Sequence, residues 1–276
     1  MQIRGHDIGV CSWSLHPKDM ADLIARVRQL GLDHIQLALL PLLEMDDVAR
    51  ARDLALLRDS GIKLTAGMIS FPGEDYTTIA IIRGTGGYVP DDQWPKRKEL
   101  SLRAAHLGAA MGLSKISTHI GFVPPSSEKN YPIMIERVSE IAQAMSEENV
   151  VLLMETGQEN ASELLQFLND VRMPNVQVNF DPANMILYGA GDPIDAIGVL
   201  GRHIGHVHVK DAVLSAQPRL KWGEEVPFAT GQVPPREFVI ALERAGYHGP
   251  LVIEREAGDD RMRDVKFAID TLRSIT

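Results

Sequence analysis

Residues 241–254, ALERAGYHGPLVIE, hold one full repeat of the chain's construction: a charge-dotted helical segment, a glycine, and a short apolar run ending in a carboxylate. The glycine suits the position just past a helix, where positive φ is needed. The run behind it is rich in Val, Ile and Leu, as a strand buried on both faces should be. The same unit recurs as ARVRQLGLDHIQLAL (25–39), LLRDSGIKLTAGMI (56–69) and, shortened, RHIGHVHV (202–209). Helix then strand, repeated, is the α/β signature.

Strand candidates fall at 7–13, 33–39, 62–69, 115–119, 150–155, 175–181, 204–209 and 250–254. Eight strands with helices between them predict a closed (β/α)8 TIM barrel rather than an open sheet. No GxGxxG or GxxxxGK fingerprint follows the first strand, and GTGGYVP at 84–90 lies deep in a loop, which counts against a dinucleotide-binding sheet. No linker or change of composition divides the chain, so residues 1–276 read as one domain closing on a helix near 260–274. Two connections are long: about 28 residues from Phe71 to Lys98 after strand three, and about 22 from Ala212 to Val233 after strand seven. Connections of that length tend to be lids or binding loops, and in a barrel both lie on the C-terminal face where active sites sit.

Composition narrows the partners. Lys and Arg total 28 against 37 Asp and Glu, a net charge of −9, which argues against a nucleic-acid partner and its usual basic patch. The lone cysteine, Cys11, fits a reducing cytoplasm and reads as an inert core thiol. The opening MQIRGHDIGVCSWSL has no long apolar stretch, and no later run approaches the ~18 residues of a membrane span, so neither a leader nor a membrane is expected.

In a barrel the chemistry belongs at the strand ends, and here those ends are polar: His119, Glu155, Asp181, His208 and Glu254 close strands four to eight in turn. A carboxylate after a strand is often just the N-cap of the next helix, the more ordinary reading for any one of them. Four together favour a metal. Glu155, Asp181, His208 and Glu254 supply three anionic oxygens and one imidazole, a set for one divalent ion, Mn²⁺ first and Mg²⁺, Co²⁺ or Zn²⁺ as alternatives. Within HIGHVHVKD (203–211) both His206 and His208 share strand parity, but about 6.6 Å of separation along the strand prevents both from binding one ion. His208, nearer the rim, takes the ligand role, and His206 is expected one layer deeper as a supporting histidine.

In order and spacing, VVLLMETG, VQVNFDPANM, IGHVHVKD and GPLVIERE resemble the xylose isomerase-like barrel superfamily, with sugar isomerases, ketose 3-epimerases, inosose dehydratases and the endonuclease IV group. The resemblance spans nearly the whole chain and is strongest from 150 to 256. It implies that Glu155, Asp181, His208 and Glu254 bind one divalent metal. It also implies that Glu155 and Glu254 act as acid and base on opposite faces of a bound sugar, through a metal-stabilised enediolate. The chain departs from the ketose-epimerase pattern at Asn184, Leu214 and Ala161, where those enzymes carry histidine, arginine and glutamate. Asn184 can hydrogen-bond a hydroxyl but cannot shuttle a proton.

The first expectation is therefore a metal-dependent isomerase or epimerase of a small sugar or polyol derivative. A dehydratase or lyase of keto-sugars or inososes on the same metal site is the alternative. An endonuclease IV-like nuclease is disfavoured by the net charge and the few strand-end histidines, and a non-catalytic sugar-binding barrel by the retention of both glutamates. His119, Asn184, Lys210 and Trp13 are candidate substrate contacts; for His119, Lys210 and Trp13 the structural counterparts are a packed histidine, a snorkelling lysine and a core tryptophan. Glu256 shares the parity of Glu254 and reads as a supporting or salt-bridging group. In the first long loop Glu74, Asp75, Tyr76 and Trp94 form a lid or simply pack it. Arg219 and Lys221 are the only hint of a phosphate contact, and barrels of this kind commonly pair as homo-oligomers.

Overall fold

The computed structural model describes residues 1–275. Eight parallel strands close on themselves: β1 (His6–Cys11), β2 (His34–Ala38), β3 (Lys63–Ile69), β4 (Lys115–Thr118), β5 (Val151–Glu155), β6 (Val176–Phe180), β7 (Ile204–Val209) and β8 (Leu251–Ile253). Each pairs with its successor, and β8 completes the ring by pairing Val252 with both His208 of β7 and Gly9 of β1. Among the described residues eleven helices surround the ring, making a (β/α)8 TIM barrel.

Local chemistry sets the helix ends. The helix Asp47–Ser60 starts at Asp46, whose side chain accepts from Ala49 N, and stops at Gly61, which takes φ 73°. The helix Ala161–Val171 opens with a capping box between Asn160 and Glu163. The apolar core lies between the ring and the helices, where Ile8, Val10, Val178, Val207, Phe167 and Phe238 are wholly buried.

Inside the ring the chemistry is polar. His206 Nε2 of β7 lies 3.0 Å from Thr65 Oγ1 of β3, and Lys115 Nζ of β4 donates to the Gly205 carbonyl at 2.7 Å. Two register shifts interrupt the ladders, between Ile35 and Gln36 and between Val178 and Asn179. Such irregularities re-aim side chains near barrel rims, and both flank residues that touch His208.

The long connections carry structure of their own. The first contains the helix Ile79–Thr85; the second contains a strand pair, Asp211–Val213 against Glu224–Val226. Strand one stops earlier than its apolar pattern suggests, because Ser12–Leu15 forms a 3-10 turn that carries Trp13 off the sheet. No helix among the described residues is long and apolar enough to cross a membrane.

Candidate metal centre

The barrel mouth gathers Glu155 at the end of β5, Asp181 just past β6, His208 in β7 and Glu254 just past β8. All four are buried, and one ligand atom from each lies within 4.8 Å of the others. His208 Nδ1 is the hub, 3.4 Å from Glu155 Oε1, 3.4 Å from Asp181 Oδ2 and 3.3 Å from Glu254 Oε2.

The other ring nitrogen decides what that hub is. His208 Nε2 lies 2.6 Å from Gln36 Oε1 and 3.1 Å from Asn179 Nδ2. The shorter contact is to an acceptor, which assigns the proton to Nε2. In the neutral ring Nδ1 is then a lone pair facing three carboxylates, an arrangement of acceptors alone. A proton or a cation must sit among them. Without an ion, burial lowers the His208 pKa, but Glu254 and the other anions outweigh it and hold it well above the ordinary value. Glu155 Oε2 is buried with no hydrogen-bond partner among the described residues. Three hard oxygens, one imidazole nitrogen and an orphaned carboxylate oxygen fit a divalent cation.

Asp181 unites the two readings of a strand-end carboxylate. Its Oδ1 accepts from Asn184 N at 2.9 Å and caps the helix Pro182–Tyr188, while Oδ2 faces His208. Burial raises its carboxyl to about 6 against the opposing pull of Lys210. For Glu155, burial pushes upward, but His119 and His208 prevail and hold it below its usual range. Glu254, opposed by the same burial, is held well below by Lys210 and His208.

The other predicted residues surround this set. Trp13 Nε1 donates to Glu254 Oε1 at 2.8 Å, and Lys210 Nζ to Glu254 Oε2 at 2.8 Å and Glu256 Oε2 at 2.6 Å. Lys210 is buried rather than snorkelling to water. Asn184 Nδ2 donates to Glu155 Oε1 at 3.0 Å. His119 Nε2 stands 3.7 Å from the same oxygen, and its buried Nδ1 has no partner among the described residues. His206 lies beneath, with Nδ1 2.8 Å from Asn179 Oδ1. Burial pushes the Cys11 thiol up to about 12, so it stays protonated.

A cavity of about 770 Å³ opens above the centre, lined by Trp13, His119, Asn184, Glu254 and Glu256 among others. Glu74 and Tyr76 reach it as well, although Glu74 is held by Phe71 N and Gly87 N. Asp75 instead accepts from Thr77, and Trp94 packs on Tyr88. Arg219 donates to the Gln158 carbonyl, and neither it nor Lys221 lines the cavity.

Gln36, Asn179, Tyr188 and Trp222 escaped the sequence reading. A polar residue in mid-strand, such as Gln36 or Asn179 in an otherwise apolar run, was the available signal. Tyr188 and Trp222 left none, because they reach the cavity only through the folding of a helix and a loop.

The model of the xylose isomerase-like TIM barrel family matches residues 24–275. No curated protein matches. Among solved structures, a xylose isomerase domain protein from Planctomyces limnophilus is 31% identical over 91% of both chains, with a TM-score of 0.85. A xylose isomerase-like TIM barrel protein from Mycobacterium smegmatis, in complex with magnesium, is 16% identical over 98% of this chain and 97% of its own, with a TM-score of 0.74. D-psicose 3-epimerase from Clostridium cellulolyticum H10 is 20% identical over 98% and 99%, with a TM-score of 0.72. The last two likenesses establish the shared fold. With the family model running from the first helix through the last, and the ring closed as that fold requires, the chain belongs to the xylose isomerase-like TIM barrel family.

Proposed function

We propose that the protein is a divalent-metal-dependent isomerase or epimerase of a sugar or sugar derivative, with Glu155, Asp181, His208 and Glu254 holding the ion. The observation that carries this reading is the convergence of three carboxylate oxygens on His208 Nδ1 while Nε2–H is donated to Gln36. When bound, the cation would polarise a substrate carbonyl and its neighbouring hydroxyl, acidifying the C–H between them.

The chain's own groups do the rest. Asn184 fixes Glu155 through Oε1, leaving Oε2 to accept the carbon-bound proton. Glu254 is held by Trp13 and Lys210 on its two oxygens and passes to the carbon a proton that it first takes up from solvent. His119 Nδ1 and the cavity wall orient the sugar hydroxyls. The two glutamates project from the ends of β5 and β8, with β6 and β7 between them.

A dehydratase or lyase is the second reading, favoured by one contact. The Lys210 ammonium, 2.8 Å from Glu254 Oε2, is a fixed positive charge that would stabilise the oxyanion developing on a departing hydroxyl. Incubation with Mn²⁺ and a sugar panel in deuterated water separates the two. Both reactions place deuterium at carbon, and only elimination releases an unsaturated or deoxy product. Glu254→Gln is expected to lower the exchange rate by roughly 10²–10⁴. Absence of C–H exchange with every sugar would sink both readings.

A further inference from the structure

The cavity extends well beyond the four converging groups. Its volume of about 770 Å³ sits high in the roughly 300–1,000 Å³ typical of pockets for drug-sized ligands, and a free monosaccharide is far smaller than those. Part of the wall is aromatic. Tyr188 and Trp222 meet edge to face with ring centroids 4.6 Å apart, and Tyr76 stands 6.5 Å from Trp222. Trp222 Nε1 donates to the Tyr76 carbonyl at 3.0 Å, so the loops after β3 and β7 are tied together at this wall. Leu187 and Met68 complete an apolar lining.

Charge narrows the ligand further. Among the described residues no Lys or Arg lines the cavity, whereas Glu74, Glu225, Glu254 and Glu256 do. Lys210, beneath them, is committed to Glu254 and Glu256, and Arg255 to Glu225 and Asp264. A phosphate or carboxylate on this side would be desolvated against like charge with no free cation to pair it.

We propose that Tyr76, Tyr188 and Trp222 form a second subsite, which receives an uncharged apolar or aromatic substituent of the substrate, such as an aglycone on a sugar that keeps its reacting carbonyl at another carbon. The proposal rests on the reading above in that the polyhydroxylated end of the same ligand occupies the metal-side half of the cavity. An aromatic substituent stacks on this wall and adds affinity that a methyl group cannot.

The test is equilibrium binding to the Mn²⁺-loaded protein by calorimetry, using a panel of monosaccharides, each as methyl glycoside, phenyl glycoside and phosphate. The preferred phenyl glycoside is expected to bind about tenfold tighter than its methyl counterpart. Trp222→Ala should erase that difference, lowering phenyl-glycoside affinity about tenfold more than methyl-glycoside affinity. Ala257→Arg, at the cavity rim, should raise affinity for the phosphate by about tenfold by supplying the missing cation. Equal affinity for methyl and phenyl glycosides, binding of neither, or tighter binding of the phosphate by the unaltered protein overturns the subsite. Deuterium exchange on free sugars without a phenyl preference would leave the enzymatic reading standing alone. A Trp222-dependent phenyl preference with no exchange on any ligand would do the reverse.

Discussion

His208 shows how much a single tautomer carries. Gln36 Oε1, at 2.6 Å, takes the Nε2 proton and so turns Nδ1 toward the carboxylates as a lone pair. Gln36→Leu removes that acceptor while keeping an apolar stem of similar size. Mn²⁺ affinity, measured by titration calorimetry, is expected to fall by about 10–100-fold, the usual effect of losing a partner that orients a metal-binding histidine. Retained affinity would show that the Nε2–H bond to Gln36 does not set the tautomer of the ligand histidine. Gln36 and Asn179 were illegible as partners in the sequence because they come from β2 and β6, and only closure of the ring brings them to β7.

At the level of elements, the rim is held by two devices. Asp211 is buried and accepts four backbone N–H groups, from Ala212, Ala229, Gly231 and Val233, at 2.8–3.0 Å. It pins the return of the loop that carries Trp222. Asp211→Ala leaves those donors without their shared acceptor and is expected to cost about 3 kcal/mol in denaturant unfolding. Gly87 is the second device. It has φ 53°, and a Cβ there would run into the Ile120 backbone, where Tyr88 N donates to Ile120 O at 2.7 Å. Gly87→Ala therefore combines positive-φ strain with a backbone clash and should destabilise by more than about 3 kcal/mol, read as a lower denaturation midpoint. The glycines predicted to end helices were visible as punctuation between periodic segments. Gly87 was not, since its constraint comes from a crossing of two loops.

For the molecule as a whole, the acidic balance has a counterpart in the interior. Glu159 is buried beside Val123, whose N–H it accepts at 2.8 Å, and burial raises its carboxyl from 4.5 to about 7. The unfolded chain releases this proton near pH 4.5 and the folded chain near 7. Between those values the folded state binds more protons, so stability falls as pH rises and levels off above about 7. Glu159→Gln keeps an acceptor for Val123 and removes the charge. Its stability relative to the parent should rise from pH 5 to pH 8 by up to roughly 3 kcal/mol, checked by thermal melts at both pH values. A difference that does not change with pH would mean that the Glu159 carboxyl titrates in its ordinary range.

The sequence by itself determined the order of helices and strands, because helix-ending glycines and Val-, Ile- and Leu-rich runs are local signals that the backbone must obey wherever the chain goes. It also determined which polar residues stand at strand ends, and hence that Glu155, Asp181, His208 and Glu254 meet once the ring closes. Only the tertiary structure decided that Asp181 caps a helix with one oxygen and faces His208 with the other. The same holds for the burial of Lys210 between Glu254 and Glu256, and for the aromatic wall built by Tyr76, Tyr188 and Trp222. Those outcomes depend on atoms contributed by segments distant in the chain, and no local periodicity encodes the angle at which two loops meet.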